Sequence, residues 1–542
     1  MIPLLFEISD WVYYPYNLKR ATSGILDIIT HKGDFWSLLP GFLHDFWYVP
    51  LICLLALFLL IVVNKKICKA TPLTAPAVYK NKFRIVQFAV MLVIAGITLI
   101  GMRGGLQYLP VSINNAVQDV EPDLVPVILN TPFSIITTVT NNELPELRYF
   151  PNSELKNYFN TTKHFNKRKF KPKNVVVIII ESYSREFTKL SGGKSYTPFL
   201  DSLMDHSLTC TQAYANALHS AEGIPAVLSG IPSLMDDPIQ NSVYSTNHLT
   251  SLPLLLKQKG YSSSFYHGGT NGTMSFDVYC KAAGFDEYNG RTEYNNDDDY
   301  DGNWGIWDEQ FLQFFATDIN RLKPPFFSTV FTLSSHEPFH IPDKYQSTFP
   351  PDSLPIHRAV AYTDYSLRKF FETASKQPWY NNTLFVITAD HCFPKITENQ
   401  TACNMSSYAI PILYFSPSDS SLKGYCDTLT QQIDILPSVL DYLGYDKPFF
   451  ALGNSIFSPV EHRYTANYLS GFYQFVFENR ILFCVNMNPK GLFDFSTDKG
   501  CRIDLINKEP EKAKILLHYL RALMQIYNSS LIKDEMYIKQ GN

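Results

Sequence analysis

Two long apolar runs stand near the start of the chain, and the pattern after them is different. Phe46 to Val63 is apolar apart from Trp47, Tyr48 and Pro50 at its start, and Ile85 to Met102 carries only Gln87 and Thr98 as polar breaks. A helix through either run rises about 27 Å at ~1.5 Å per residue, which spans the hydrocarbon core of a bilayer. The pattern predicts two transmembrane helices; a buried core helix is the alternative. The loop between them, Asn64 to Arg84, holds Lys65, Lys66, Lys69, Lys80, Lys82 and Arg84 and no acidic residue. The positive-inside rule places that loop in the cytoplasm and everything after Arg103 outside it. For the first 45 residues two readings stay open: helices precede this reading frame, or residues 1–30 lie in the interface.

Gly104 to Lys173 reads as a connector. Pro122, Pro126 and Pro132 interrupt it, and it ends in a basic run, Lys163 to Lys173. That run either meets anionic headgroups or is a solvated linker. From Asn174 the rhythm changes to short buried strands. Val175 to Ile180 is a continuous β-branched run, as in a central strand covered on both faces. Similar runs recur at Phe326–Leu333, Thr383–Thr388 and Ile410–Phe415, with helical stretches such as His357–Ser375 and Thr430–Leu443 between them. This alternation predicts an α/β domain with a central mixed, mostly parallel sheet flanked by helices. Accessory strands and a C-terminal helix, Glu509–Tyr527, follow Pro459. The domain reading is therefore a membrane anchor at 1–103, a connector at 104–173 and a catalytic domain at 174–542.

Composition narrows the class. The chain has 542 residues, of which 46% are hydrophobic and 18% charged, with a net charge of -4. That balance suits a folded chain with a membrane part and offers no basic field for nucleic acid. The nine cysteines include no close C-x-x-C pair, so a zinc-finger type site is excluded while disulfides stay open.

Open α/β sheets bind ligands at the carboxyl ends of their strands. Glu181-Ser182 follows the first strand, and Ala389-Asp390-His391 follows Thr383–Thr388. Two strands of one sheet would bring Glu181, Asp390 and His391 to a common edge. Two carboxylates and an imidazole suit Mn²⁺, Mg²⁺ or Zn²⁺. Ser220 precedes an apolar stretch, as at a helix start, where free N–H groups and the dipole favour a phosphate. It is either an N-cap or a nucleophile, and the two are compatible.

Further elements follow in a fixed order: His219-Ser220-Ala221-Glu222-Gly223-Ile224-Pro225, His267-Gly268-Gly269, Phe276-Asp277, Gly284-Phe285, Trp304-Gly305-Ile306-Trp307-Asp308, Thr332 to Phe339, and Ala389-Asp390-His391. In this order the chain resembles the lipoteichoic acid synthase and phosphoglycerol transferase branch of the alkaline-phosphatase and sulfatase superfamily, from about residue 100 to 460. The resemblance implies one divalent cation, Mn²⁺ first and Mg²⁺ or Zn²⁺ as alternatives, held by Glu181, Ser220, Asp390 and His391. It implies that Ser220 is also the nucleophile, that His336 contacts the transferring group or assists the leaving oxygen, and that His267 is a second substrate-side histidine.

It further implies a multi-pass protein of the bacterial inner (cytoplasmic) membrane with its catalytic domain outside the cytoplasm. Its partners would be a phospholipid donor and a glycan or lipid acceptor. A hydrolase of phosphate or sulfate esters is the alternative within the same fold. Ser220 lacks the Pro-x-Arg context of a formylglycine precursor, which disfavours a type I sulfatase. A non-catalytic envelope protein would be expected to lack a ligand, and all four are present. Three positions depart from the family. Met274 and Phe276 stand where polymerising synthases carry Trp and Arg, which argues against a glycerol-phosphate polymer because an Arg fork is the usual grip on phosphate. Cys392 stands where Gly is usual; its thiol lies near the metal, is buried, or is disulfide-bonded, with Cys403 as the candidate partner.

Overall fold

The computed structural model describes residues 6–12, 21, 34–70, 80–102, 130–138, 143–165, 169–245, 247–393 and 405–538. The chain divides into two compact units, 1–23 with 42–141 and 24–41 with 142–542.

In the first unit the apolar runs form helices α1, Tyr48–Ala70, and α2, Lys80–Met102. Their side chains are turned outward: Leu54 and Phe58 are 61% exposed, and Ile85 and Ile97 are 67% and 65% exposed. Apolar surface that extensive is out of place in water. Among the described residues one stretch, Tyr48–Lys66, is long and apolar enough to cross a membrane, while the described apolar stretch of α2, Ile85–Thr98, is shorter. The first part of the connector, residues 104–129 with Pro122 and Pro126, lies outside the described residues.

The second unit is built on an eight-stranded sheet. Its strands in chain order are β1 Asn174–Ile180, β2 Leu208–Cys210, β3 Ser262–His267, β4 Glu287–Asn289, β5 Phe326–Phe331, β6 Thr383–Ala389, β7 Ile412–Phe415 and β8 Gly424–Cys426. Across the sheet they run β8-β2-β7-β6-β1-β5-β3-β4. All neighbours are parallel except at β7, which runs against both β6 and β2. The β-branched run of β1 lies between β6 and β5, and every residue from Val175 to Ile180 is fully buried. Helices α3 Ser220–Ser229, α4 Asp308–Asp318, α5 Pro355–Ala374 and α6 Ile435–Leu443 flank the sheet. Their apolar stripes, such as Ile356, Val360, Leu367 and Phe370 of α5, join the sheet in one core.

After Val460 come four antiparallel strands in meander order, β9 Tyr464–Leu469, β10 Phe472–Phe477, β11 Arg480–Val485 and β12 Asn488–Asp494. Helix α7, Pro510–Ile532, packs against them through Leu516, Leu520, Leu523 and Tyr527 in a second core. Part of the stretch read as connector belongs here. Leu155 is buried in that core, and the N–H groups of Tyr149 and Phe150 donate to Gln525 Oε1 at 2.7 and 2.9 Å.

Element boundaries shift where tertiary pairing overrides local pattern. The helix expected from Thr430 starts at Ile435, because Thr430–Gln431 pairs as a strand with Ala213–Tyr214 and a tight turn follows. Helix α7 continues past Tyr527 to Ile532, since Leu531 still has core to bury against.

Candidate active site

Parallel register sets the site. Ile180 and Ala389 are partners in adjacent strands, so the next residues, Glu181 and Asp390, leave the sheet side by side. The Asp390 N–H donates to Ile180 O at 3.2 Å. On the other flank Thr332, just beyond β5, accepts the Glu181 N–H on Oγ1 at 3.1 Å, and Ser335 Oγ donates to Glu181 O at 2.6 Å. Ser182 has a left-handed backbone, φ 51°, which a non-glycine residue adopts only when its surroundings enforce it. Its N–H donates to Asp390 Oδ1 at 2.8 Å and its hydroxyl to Glu181 Oε1 at 2.5 Å.

Ser220 is the first residue of α3, and His219 occupies the N-cap position without capping through its side chain. The hydroxyl of Ser220 is therefore not used as a cap. It donates to Glu181 Oε2 at 3.1 Å and lies 3.4 Å from His391 Nε2. His219 turns away to Glu222, 2.9 Å from its carboxylate.

Glu181, Asp390 and His391 are buried, and each offers a ligand atom within 4.8 Å of the others. The His391 Nδ1–H donates to the Cys392 carbonyl at 2.8 Å. A carbonyl only accepts, so this bond fixes the tautomer and leaves Nε2 with a lone pair facing the cluster. Asp390 Oδ2 is buried with no hydrogen-bond partner among the described residues, and it stands 3.3 Å from that same Nε2. In this tautomer, lone pairs on carboxylate and imidazole thus converge on one point. The residues fit a divalent cation on donor chemistry and on the orphaned oxygen. Burial, and then the nearby Glu181 charge, push the Asp390 carboxyl up to about 7. His391 is raised as well: burial opposes its charge, but Asp390 and Glu181 outweigh it.

The two other histidines sit on neighbouring strand ends. His267 closes β3, stacked 5.2 Å from Phe331 with Phe276 edge-on at 5.2 Å. Its Nδ1 is 3.3 Å from the Tyr288 hydroxyl and its buried Nε2 has no partner among the described residues. Burial, and then His336, hold its ring at about 3, hence neutral. His336 follows β5; its Nδ1–H donates to Glu337 O at 3.0 Å and burial lowers its pKa.

Several contributors were given no role from sequence. Trp304 lies with its ring 3.9 Å from that of His336 and donates its indole N–H to Glu337 O at 2.6 Å. Its loop is held by Asp301, whose Oδ1 accepts the N–H groups of Asn303, Trp304 and Gly305. The acidic stretch around it is used locally, with Asp297 paired to Arg291 at 2.7 Å. Gln432 Nε2 donates to the carbonyls of Ala389 and Asp390 at 2.8 and 2.5 Å, while its Oε1 accepts the Asn216 N–H at 2.8 Å. These links span over 40 residues and more than 200 residues of chain, so no sequence window reveals them.

In the sequence Gly223 stands only as a member of the His219–Pro225 motif. A Cβ there would sit 2.3 Å from Asp390 O and 2.9 Å from its carbonyl carbon. Backbone cannot swing aside, so Gly223→Ala should displace either α3 or Asp390, at about 1–3 kcal/mol. We expect a lower melting temperature and a smaller response to added Mn²⁺ than in the parent protein. A thermal melt with and without Mn²⁺ reads both, and an unchanged Mn²⁺ response would show that the contact is not needed.

Two family departures resolve differently. Phe276 is fully buried between Phe265, His267 and Phe331, so this position offers an apolar ring and no polar fork. Cys392 is a free, buried thiol that donates to Ala409 O at 3.0 Å, and burial pushes its pKa up. The disulfide considered for it is therefore not formed: its sulfur is turned onto a carbonyl.

Comparison with known proteins agrees with this architecture. The family model described as Sulfatase matches residues 173–445. Lipoteichoic acid synthase 2 of Bacillus subtilis (strain 168) is 25% identical over 327 residues, covering 55% of this chain and 49% of its own length. The chain spans about half the length of the curated relatives it matches. A Vibrio parahaemolyticus protein of the alkaline phosphatase superfamily superposes with a TM-score of 0.62 at 24% identity, over 72% of this chain and 98% of that one. The lipoteichoic acid synthase LtaP of Listeria monocytogenes does so with a TM-score of 0.57 at 20% identity, over 71% and 95%. These two likenesses establish the alkaline-phosphatase and sulfatase fold.

Proposed function

The chain belongs to the sulfatase family, and on that premise we propose that it is a membrane-anchored transferase. It would move a phosphoglycerol or similar phospho-head group from a phospholipid to a glycan or lipid acceptor outside the cytoplasm, through a covalent intermediate on Ser220. The observation that carries the reading is the Ser220 hydroxyl, 3.1 Å from Glu181 Oε2 at the start of α3 and beside Asp390 and His391. Similarity to lipoteichoic acid synthases supports the choice of phosphoester chemistry and of a lipid donor.

Glu181, Asp390 and His391 would hold one divalent ion, with Ser220 as a further ligand; Mn²⁺ is our assignment, with Mg²⁺ and Zn²⁺ as alternatives. When bound, the ion supplies positive charge that favours ionisation of a serine hydroxyl and offsets charge on phosphoryl oxygens. The protein does the rest. Ser220 Oγ forms a bond to phosphorus as the bond to the lipid alcohol breaks, the serine proton ending on the departing alcohol oxygen, and the start of α3 favours the anionic group. In the second half the acceptor hydroxyl replaces Ser220. The neutral ring of His336, its Nδ1–H already committed to Glu337 O, presents Nε2 to take that hydroxyl's proton. Trp304 fixes the plane of His336, and His267 lines the substrate side.

A hydrolase is the second reading: Phe276 is a buried apolar ring at a position where the family resemblance leads us to expect an Arg grip on phosphate. The same residue leads us to propose transfer of single head groups, not chain growth. Mass spectrometry of the protein incubated with Mn²⁺ and mixed bacterial phospholipids separates the readings. An adduct on the Ser220 peptide, with the mass of a phospho-head group, is expected. Metal-dependent release of phosphate or sulfate from small esters with no adduct would overturn transfer in favour of hydrolysis.

Localisation follows from α1, α2 and the basic loop between them. We propose that both helices span the membrane, with the loop cytoplasmic and the catalytic domain outside. A reporter fused after Val460 should report extracytoplasmic exposure; a cytoplasmic signal would overturn this topology.

A further inference from the structure

Away from the active site, two cysteines face each other at the edge of the sheet. Cys426, the last residue of edge strand β8, is the register partner of Cys210, the last residue of β2. Register partners in adjacent parallel strands project to the same face, about 4.8 Å apart along the hydrogen-bonding direction. That lies within the span of Cα separations a disulfide bridges. Both are free thiols here, Cys210 buried and Cys426 partly accessible. The neighbouring Cys210 thiol holds Cys426 well below the ordinary thiol range, and Thr428 adds to the effect. A third cysteine of the same unit, Cys501, is disulfide-bonded, so this domain already contains one oxidised cysteine.

The pair stands at the root of a ribbon that leads to the catalytic residues. Beyond it, Ala213–Tyr214 and Thr430–Gln431 pair in parallel. Next, Asn216 Nδ2 donates to Gln431 Oε1 at 2.7 Å, and Gln432 holds the Asp390 carbonyl. One strand of the ribbon runs on to Ser220, and the other supplies the side chain that fixes Asp390.

We propose that Cys210 and Cys426 form a disulfide in an oxidising compartment, a staple that locks edge strand β8 to β2 beneath the catalytic ribbon. The oxidant is a small-molecule or protein disulfide. The Cys426 thiolate attacks one of its sulfurs, forming a mixed disulfide and expelling one thiolate, which takes up the Cys210 proton. Cys210 then attacks the Cys426 sulfur, closing the internal disulfide and releasing the second thiol. Two electrons and two protons pass to the oxidant. A three-residue edge strand has few ladder bonds of its own, so a covalent tie closing so long a loop acts where the sheet is weakest.

The inference rests on the extracytoplasmic placement proposed above for its cellular setting, so the test is made on purified full-length chain. The protein is equilibrated with glutathione disulfide and glutathione at an oxidising ratio, then alkylated, digested and analysed by mass spectrometry. A Cys210–Cys426 linked peptide is expected. The melting temperature should exceed that of the Cys426→Ser and Cys210→Ser variants under the same conditions by about 2–4 °C. Alkylation of both cysteines while Cys501 stays disulfide-bonded would overturn the proposal. So would glutathione retained on Cys426 alone, which would mark a single reactive thiol. Formation of the pair in vitro alongside a cytoplasmic reporter signal would leave the staple standing and remove only the topology.

Discussion

Replacing Ser220 with alanine should lower turnover by a factor of about 10³ or more while barely moving the melting temperature. The two effects separate because the hydroxyl is used by the site and not by the fold. Ser220 is the first residue of α3, not its N-cap, and His219 occupies the capping position. The helix therefore loses no cap, and the usual cost of about 1 kcal/mol for removing one does not arise. Glu181 loses the bond to Ser220 at 3.1 Å but keeps that from Ser182 at 2.5 Å. Glu181, Asp390 and His391 remain, so metal uptake should persist. Rates measured with a phospholipid donor, alongside calorimetry with Mn²⁺, read both halves. Full activity in Ser220→Ala would end the nucleophile assignment. Lost metal uptake would instead mean that Ser220 serves chiefly as a ligand.

How much of this was legible beforehand follows from the range of the interactions involved. Val175–Ile180 announced a strand covered on both faces because its β-branched run needs no distant partner to be recognised. The placement of Glu181 and Asp390-His391 followed from strand ends alone, and the register of Ile180 with Ala389 brings these residues together. The reversal of β7 was not legible, since a short apolar run carries no direction. Local sequence also gave no sign that Thr430–Gln431 would pair as a strand, because that depends on Ala213–Tyr214. Gly223 illustrates the limit well. A glycine in a helix is normally a modest loss, and only the close approach of the Asp390 carbonyl explains it. Trp304, Gln432 and Asn216 act through bonds that join remote segments, and the chemistry-bearing residue types at strand ends conceal such supports.

The second large effect is a reversal of stability, expected from Asp390→Asn. In the metal-free protein Asp390 titrates at about 7, against an ordinary value of 3.8, because it is buried beside Glu181. A folded-state pKa above the unfolded one means that the folded chain holds the proton more tightly. The stability this contributes is fully present below the unfolded value and is lost as pH rises through about 7. His391, raised by the same carboxylates, acts in the same direction, losing its contribution as pH passes above its ordinary value of 6.5. Protons thus occupy the place that a cation would take, and the metal-free domain should weaken from about pH 4 to about pH 8. The asparagine introduced by this substitution carries no charge to desolvate. Its carbonyl can still accept from the Ser182 and His391 N–H groups, which donate to the Asp390 carboxylate at 2.8 and 2.7 Å. Its amide can donate toward the lone pair of His391 Nε2, 3.3 Å from Asp390 Oδ2 in the parent. At about pH 8 without metal, Asp390→Asn should therefore be more stable than the parent by about 2–4 kcal/mol, the gap narrowing towards about pH 4. Saturating Mn²⁺ should invert the order, stabilising the parent and leaving the variant unmoved, since a ligand that binds only the folded state stabilises it by mass action. Thermal melts at about pH 5 and about pH 8, with EDTA and with Mn²⁺, give the comparisons needed. A variant less stable than the parent at the higher pH in EDTA would mean that Asp390 is held ionised by partners its geometry does not reveal. A variant that still responds to Mn²⁺ would remove Asp390 from the ligand set. Inactivity together with greater stability is the signature of a residue retained for binding a cation, at a cost to the fold that only the cation offsets.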